Sequence, residues 1–397
     1  MHAIKTNGEV WGWGQNYSGS IGDGTNSNRS SPVLVLGNHS FINIATKNVD
    51  TPGVTHTLGL KQNGEVWAWG QNSFGELGNL DRTWVSSPVL VAGNHSFIWI
   101  EKGERFSMAL KADGSAWTWG MNSYGNLGTN DIISYSSPVQ VAGEHSFVKI
   151  AAGNNSGFGL KSDCSAWAWG INFAGLLGLG DRINRSSPVQ VIGEHCFTSI
   201  TSGLYYTMGL KIDGSAWSWG YNLYGQLGTN DTVSYSSPVQ VVGGHSFLNI
   251  VTGASFSLGL KADGSAWAWG TNPYGQLGLG DLVNRSSPVQ VVGGHSFLSL
   301  YCIGSTSFGL KTNGEIWGWG EGGAGLIGDG DTFNKSSPVL TIGDHSFLFI
   351  NNGLSAPVNV NGTWKRDPAC FINVSGTWKR VYKLYINSLG TWKTSTY

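Results

Sequence analysis

The tetrapeptide W-x-W-G begins at Trp11, Trp67, Trp117, Trp167, Trp217, Trp267 and Trp317, so one unit recurs seven times along 397 residues. The step is 50 residues except the first, which is 56, and the extra six are placed in a loop from Thr46 to Pro52. A typical unit, residues 261–300, reads KADGSAWAWGTNPYGQLGLGDLVNRSSPVQVVGGHSFLSL. It holds four short β-prone runs: one ending in G-L-K, then S-A-W-A-W, S-P-V-Q-V and H-S-F-L, with Gly, Asn, Asp and Ser between them as turn formers. No useful window carries a 3.6-residue apolar period, which leaves helix nearly absent.

Four short strands make a sheet too small to stand alone, so each unit must bury both faces against neighbours. Seven such units close most simply as a β-propeller, whose ring protects the strand edges. An open solenoid is the alternative, but neither end shows a polar capping unit. The chain starts within a repeat at M-H-A-I-K and the last unit runs past His345 into G-L-S-A-P-V-N-V, which predicts that both termini contribute strands to one blade. The expected fold is therefore all-β: a seven-bladed propeller of four-stranded blades over 1–353, then a small β-hairpin repeat tail over 354–397.

Composition narrows the function classes. Charged residues reach 12% and glycine numbers 60, but 19 Trp, 13 Tyr and 16 Phe supply a core that a disordered or collagen-like chain would lack. A net charge of −1 gives no basic field for nucleic acid. No apolar run is long enough for a membrane span, and the N-terminal residues lack the apolar stretch of a secretory signal. Cys164, Cys196, Cys302 and Cys370 follow no metal-ligand spacing; Cys164 and Cys196 stand where sister repeats have Gly and Ser, and all four are read as incidental thiols.

The pattern G-L-K-x-D-G-x-x-W-x-W-G-x-N-x-Y-G-Q-L-G-x-G-D followed by P-V-x-V resembles the regulator of chromosome condensation repeat over about residues 1–353. The resemblance implies a seven-bladed propeller. It says less about function, since the family includes an exchange factor for a small GTPase that binds nucleosomes, bacterial binding proteins and a β-lactamase inhibitor. The repeats are unusually alike: units at Trp117 and Trp217 share T-N-D-x-x-S-Y-S-S-P, and those at Trp167 and Trp267 share L-G-D-x-x-N-R-S-S-P, as if a two-unit block had been copied.

After Gly353 the pattern becomes V-N-V-N-G-T-W-K-R, I-N-V-S-G-T-W-K-R and I-N-S-L-G-T-W-K-T, read as three hairpins. Six basic residues against Asp367 give this tail +5 and leave −6 on the ring. The tail is similar to W-K repeats of bacteriophage virion proteins. Trp364, Trp378 and Trp392 with Lys365, Lys379 and Lys393 are its candidate attachment residues.

Within the ring, His39, His95, His145, His195, His245, His295 and His345 recur once per unit and read as hydrogen-bonding turn residues rather than metal ligands. Asp81, Asp131, Asp181, Asp231, Asp281 and Asp331 recur in the loop after L-G and read as caps for backbone N–H groups. With nearly every polar group repeated, no unique catalytic constellation, metal site or cofactor site is expected. A binding site belongs where the repeats differ, at Trp84, Tyr135, Phe173, Arg182, Arg185, Tyr221, Tyr235, Arg285 and Phe333, where aromatics and arginines suit protein or glycan. The competing reading makes these residues outer-strand packing and solvation. The expectation for the whole chain is a non-enzymatic virion component whose partners are other virion proteins or a host surface protein or glycan. It would bind no nucleic acid, insert in no membrane, and sit in a symmetric assembly. The alternative is a cytoplasmic or cell-surface interaction module, of GTPase-regulator or inhibitor type.

Overall fold

The computed structural model describes residues 2–5, 7–46, 55–341 and 349–350 of the repeat region, together with short strands beyond it. Most of the inserted segment after Thr46 lies outside the described residues. The chain divides into two compact units, Met1–Gly353 and Leu354–Tyr397.

Each repeat folds as an antiparallel meander of four strands, A to D, hydrogen-bonded in sequence order, and seven of these sheets complete the ring. In blade 6 they are Asn249–Thr252, Phe256–Leu260, Ala266–Gly270 and Arg285–Gln290. Strand B is buried at every position, which is why F-S-L-G-L carries no charge. A side chain at Gly259 would place its Cβ 2.5 Å from the Phe247 ring, so the position requires a very small residue, glycine here and Ala109 in blade 3. The B-to-C turn is built by Lys261-Ala-Asp-Gly: Gly264 at φ +82 donates to Lys261, and Asp263 accepts the Ser265 N–H at 2.8 Å. Strand D is the outer edge, where Pro288 removes a donor and a register shift between Ala268 and Gly270 bends the pairing.

The core lies between blades. Ala45, Leu58, Leu60, Ala68 and Leu77 of blade 2 form one cluster with Phe97, Ile100, Ala109 and Trp119 of blade 3, and the pattern repeats at the next interfaces. The second tryptophan of each W-x-W fills the seam. Trp69, Trp119, Trp169 and Trp219 are wholly buried, and their indole N–H groups donate to Ser20, Glu76, Asn126 and Leu176 carbonyls of the preceding blade. The A strands of successive blades are neighbours around the axis.

Ring closure follows the termini. Strand Phe349–Ile350 pairs antiparallel with His2–Ile4, Ala3 opposite Ile350 and Ile4 opposite Phe349, so the innermost strand of blade 1 comes from the far end of the repeat region. That sharing leaves no unpaired sheet edge between first and last blades. Among the described residues the helical pieces are two single 3-10 turns, Phe173–Gly175 and Gly323–Gly325, and no helix is long and apolar enough to cross a membrane. In the tail, Val358–Val360 pairs with Thr363–Lys365, Phe371–Val374 with Thr377–Arg380, and Tyr385–Ile386 with Trp392–Lys393.

One expectation is corrected. Cys164 and Cys196 are not incidental thiols: they form a disulfide with their Cα atoms 4.7 Å apart. The B-to-C turn and the connector leading to strand A meet in each of the six blades where both are described, held by a Phe N–H donating to the turn residue, so residues far apart in sequence are neighbours there. Cys302 is a buried thiol, and Cys370 lies outside the described residues.

Candidate functional site

The meander puts A–B turns and C–D loops at one end of every blade and B–C turns at the other. The C–D loop end carries the sequence differences. Its frame is shared by blades 2 to 6, while blade 7 has Gly322 in place of the loop Asn and blade 1 uses Asp23 with Thr25 in place of the loop Asp. In blade 6 Asn272 accepts the Leu277 N–H at 2.9 Å, donates to the Asp281 carbonyl at 3.0 Å, and its own N–H reaches Asn284 at 2.8 Å. Asp281 accepts the Val283 N–H at 3.0 Å with one oxygen and pairs with Arg285 at 2.6 Å with the other. The Val283 N–H, with Arg285 adding to it, holds the Asp281 carboxyl below the usual carboxylate range. The loop Asp thus caps backbone N–H groups, and Asp131, Asp181, Asp231 and Asp331 do the same for Ile133, Ile183, Val233 and Phe333.

This frame accounts for several of the sequence-derived binding candidates. Tyr135 and Tyr235 donate to Asp131 and Asp231 at 2.8 Å, and Arg185 and Arg285 pair with Asp181 and Asp281. These four side chains clasp their own loops. Trp84 donates to Ser73 at 2.9 Å across the blade 2 loop. Phe333 stands on the blade 7 loop, 71% exposed, and Arg182 is exposed on the blade 4 loop. Asp281→Ala is expected to remove the loop's N–H acceptor and ion pair at a cost of about 1–2 kcal/mol, measured by urea unfolding, because the loop is solvated.

The repeated histidines serve packing rather than the hydrogen-bonding turn role expected of them. His95 lies 4.5 Å from the Trp117 ring and His245 4.5 Å from Trp267, while Lys111 and Lys261 sit 4.1 and 4.0 Å over the same indoles. A flanking glycine makes room, since a Cβ at Gly243 would meet the His245 ring at 2.7 Å. Among the described residues no group of three His, Cys, Asp or Glu converges as a metal site.

The structure brings together two of the candidates, Phe173 and Tyr221, and adds two that comparison of the C–D loops alone does not single out. In blade 4 the loop reads N-F-A-G-L-L where sister loops have forms such as N-P-Y-G-Q-L, and it tightens into the Phe173–Gly175 turn with Ala174 at φ 55. A Cβ at Gly175 would lie 2.4 Å from Ser236 Cα, so glycine lets this loop press on blade 5. Phe173 consequently projects over the A–B turn of blade 5, its ring 5.1 Å from Tyr205 and 6.0 Å from Tyr221. Tyr221 in turn lies 6.3 Å from Tyr224 in an edge contact. Phe173 is 51% exposed, Tyr224 41% and neighbouring Leu223 56%. Tyr205 replaces the Arg105, Asn155, Ser255 and Ser305 of other A–B turns; extending the repeat comparison to that turn is the signal that reveals it. The result is an apolar aromatic surface edged by phenol hydroxyls, suited to adhesion rather than bond-making chemistry.

The RCC1-like domain profile matches residues 53–354, and the regulator of chromosome condensation (RCC1) repeat profile matches 7–46. Protein RCC2 of Homo sapiens is 36% identical over 108 residues, 26% of this chain and 20% of that protein, and the Danio rerio RCC2 homolog is 34% identical over 107 residues, 26% and 21%. This chain thus spans about a fifth of the length of those relatives. Among solved structures, human WBSCR16 superposes with a TM-score of 0.75 at 20% identity, covering 88% of this chain and 95% of that one. Prp20p from Saccharomyces cerevisiae gives 0.75 at 21%, covering 86% and 88%. With a profile match over most of the ring and seven four-stranded blades closed by shared termini, the chain belongs to the RCC1-like domain family of β-propellers.

Proposed function

We propose that this chain is a non-catalytic protein-interaction module that docks a protein partner on the C–D loop end of the ring, centred on Phe173, Tyr205, Tyr221 and Tyr224. The observation that carries the reading is the convergence of three aromatics from non-repeated positions, Phe173, Tyr205 and Tyr221, beside the repeated loop tyrosine Tyr224 on a rigid frame. Exposed aromatic clusters dominate the energetics of protein interfaces, and a preorganised frame limits the ordering cost of binding. Kinship supports it: the yeast relative Prp20p is described for its binding properties to Gsp1p and histones, and in complex with Kap60. Arg182 on the same blade 4 loop, and Trp84 and Phe333 on loops of other blades at the same end, offer rim contacts.

The test is quantitative affinity capture from cells of the source organism, followed by titration of the captured protein. Phe173→Ala with Tyr221→Ala is expected to weaken binding at least tenfold with only a small drop in melting temperature, since Phe173 is exposed and Tyr221 half-buried. Unchanged affinity for the double variant would remove the cluster from the interface.

A second reading, in which the module belongs to a bacteriophage particle, is favoured by the three W-K repeats of the tail. The side chains of its attachment residues, Trp364, Trp378, Trp392, Lys365, Lys379 and Lys393, lie outside the described residues. Removing residues 361–397 would abolish incorporation into particles while the ring stays folded; incorporation without the tail would dismiss this reading.

A further inference from the structure

We infer that blade 4 is covalently closed in the working protein and that the chain acts in an oxidising compartment. The evidence is a paired departure from the repeat. The B–C turn position is Gly8, Gly64, Gly114, Gly214, Gly264 and Gly314 in six units, and the connector position is Ser40, Ser96, Ser146, Ser246, Ser296 and Ser346 in the same six. Both positions change in one unit only, the same unit, and both become cysteine: Cys164 and Cys196.

These two positions touch in every blade where both are described. A Cβ built on Gly114 or Gly214 would lie 2.3 or 2.2 Å from Ser146 or Ser246 Oγ, and the Phe147 and Phe247 N–H groups donate to the Gly114 and Gly214 carbonyls at 2.8 Å. In blade 4 the matching bond, Phe197 N–H to the Cys164 carbonyl, is kept at 3.2 Å. The scaffold therefore presents the two Cα atoms 4.7 Å apart, within the range a disulfide spans.

Neither cysteine is favourable by itself. Position 164 keeps the left-handed backbone of its sister glycines, φ 62 beside their values near 85, a conformation that disfavours any residue with a Cβ. Position 196 gives up the serine hydroxyl that elsewhere donates to the turn carbonyl, as Ser246 does to Asp213 at 3.0 Å. A cross-link offsets both losses by tying the turn to the connector across 32 residues of chain. Two isolated thiols offset neither.

The chemistry needs an external disulfide oxidant such as oxidised glutathione. The two thiols give up two protons and two electrons, one S–S bond forms in the protein, and the oxidant's S–S bond breaks to yield two thiols. Cys196 is exposed and Cys164 half-buried, so exchange can reach them, whereas buried Cys302 is shielded. Such bonds persist outside the reducing cytosol, in secreted, periplasmic, cell-surface or virion proteins. The inference therefore runs against a cytoplasmic location, the alternative drawn from the sequence, and it is independent of where a partner docks.

The chain should be trapped from its source by acid quenching, alkylated without reductant and digested. The expected product is a linked peptide pair containing Cys164 and Cys196, lighter by two hydrogens than the reduced pair. On purified protein treated with oxidised glutathione, adding dithiothreitol should lower the melting temperature by about 5 °C. The double variant Cys164→Gly, Cys196→Ser, which restores the sister pair, should show no response to reductant. Alkylated thiols at both positions in the trapped chain, or a parent melting temperature as indifferent to reductant as the variant's, would overturn the inference.

Discussion

Trp219→Ala is expected to destabilise the ring by about 3–5 kcal/mol, the range for truncating a large buried aromatic. The indole is wholly buried between blades 4 and 5 within a cluster that includes Phe158, Leu177 and Phe197, and its N–H donates to the Leu176 carbonyl at 2.8 Å. A Cβ at Gly178 would come within 2.8 Å of the same nitrogen, so backbone packs directly on the ring. Two hydrogen-bonded sheets flank the site and cannot collapse into the vacancy, and the Leu176 carbonyl is left with Thr207 Oγ1 as its remaining donor. Trp217→Ala, two residues away, is the control. That ring is half-buried, stacked between His195 at 4.3 Å and Lys211 at 4.4 Å, and its loss should cost about 1–2 kcal/mol. Urea unfolding of the two variants measures the difference, and equal losses would show that the seam tryptophan is not what joins the blades.

Acid should weaken the ring well before its carboxylates titrate. His2 and His56 are fully buried, and burial lowers both pKa values, His2 to about 3. His2 Nε2–H donates to the Ile21 carbonyl at 3.1 Å, and His56 Nε2 lies 2.9 Å from Ser107 Oγ. Buried Lys102 also disfavours charging of His56. The sign follows from proton binding. Below pH 6.5 the unfolded chain takes up a proton that the folded imidazole refuses, so stability present above 6.5 is lost as pH falls toward the folded value. For His2 the loss is about 1.4 kcal/mol per pH unit across that window, or roughly 2.7 kcal/mol by pH 4.5, with His56 adding in the same direction. Carboxylates such as Asp23 and Asp281, held below their ordinary values, titrate lower still; buried Glu76, raised by burial, opposes the loss, and the partly buried repeated histidines such as His95 and His245, lowered by burial, add to it. His2→Leu with His56→Phe restores side chains that sister blades carry, Leu58 and Phe106, and should make the acid loss clearly shallower, the remainder coming from the repeated histidines. A parent protein equally stable at pH 7 and 4.5 would contradict this account.

The acid-sensitive pair illustrates what repetition hides. His2 and His56 look unremarkable in the sequence because strand B tolerates many residues, and only burial from both sides turns an imidazole there into a liability. The loop candidates illustrate the converse. Tyr135, Tyr235, Arg185 and Arg285 vary between repeats and so resemble a binding surface, yet each answers the carboxylate four residues before it. Variation there reflects two ways of holding one loop.

The amino-acid sequence by itself determined the number of blades, the strands within each, the seam tryptophans, the loop Asp caps and the sharing of a blade by both termini. These follow from local turn chemistry and from a period that repeats seven times, which averages away the ambiguity of any one unit. Only the tertiary structure decided which residues from different units meet. Phe173 reaches Tyr205 because Gly175 lets one blade's loop lie on the next, and Cys164 reaches Cys196 because a turn and a connector are tied by a backbone hydrogen bond. Both contacts depend on close approach of backbone segments about 30 residues apart in sequence. Composition and period carry no record of such approaches, because they arise from packing between sheets rather than from the preferences of residues along one strand.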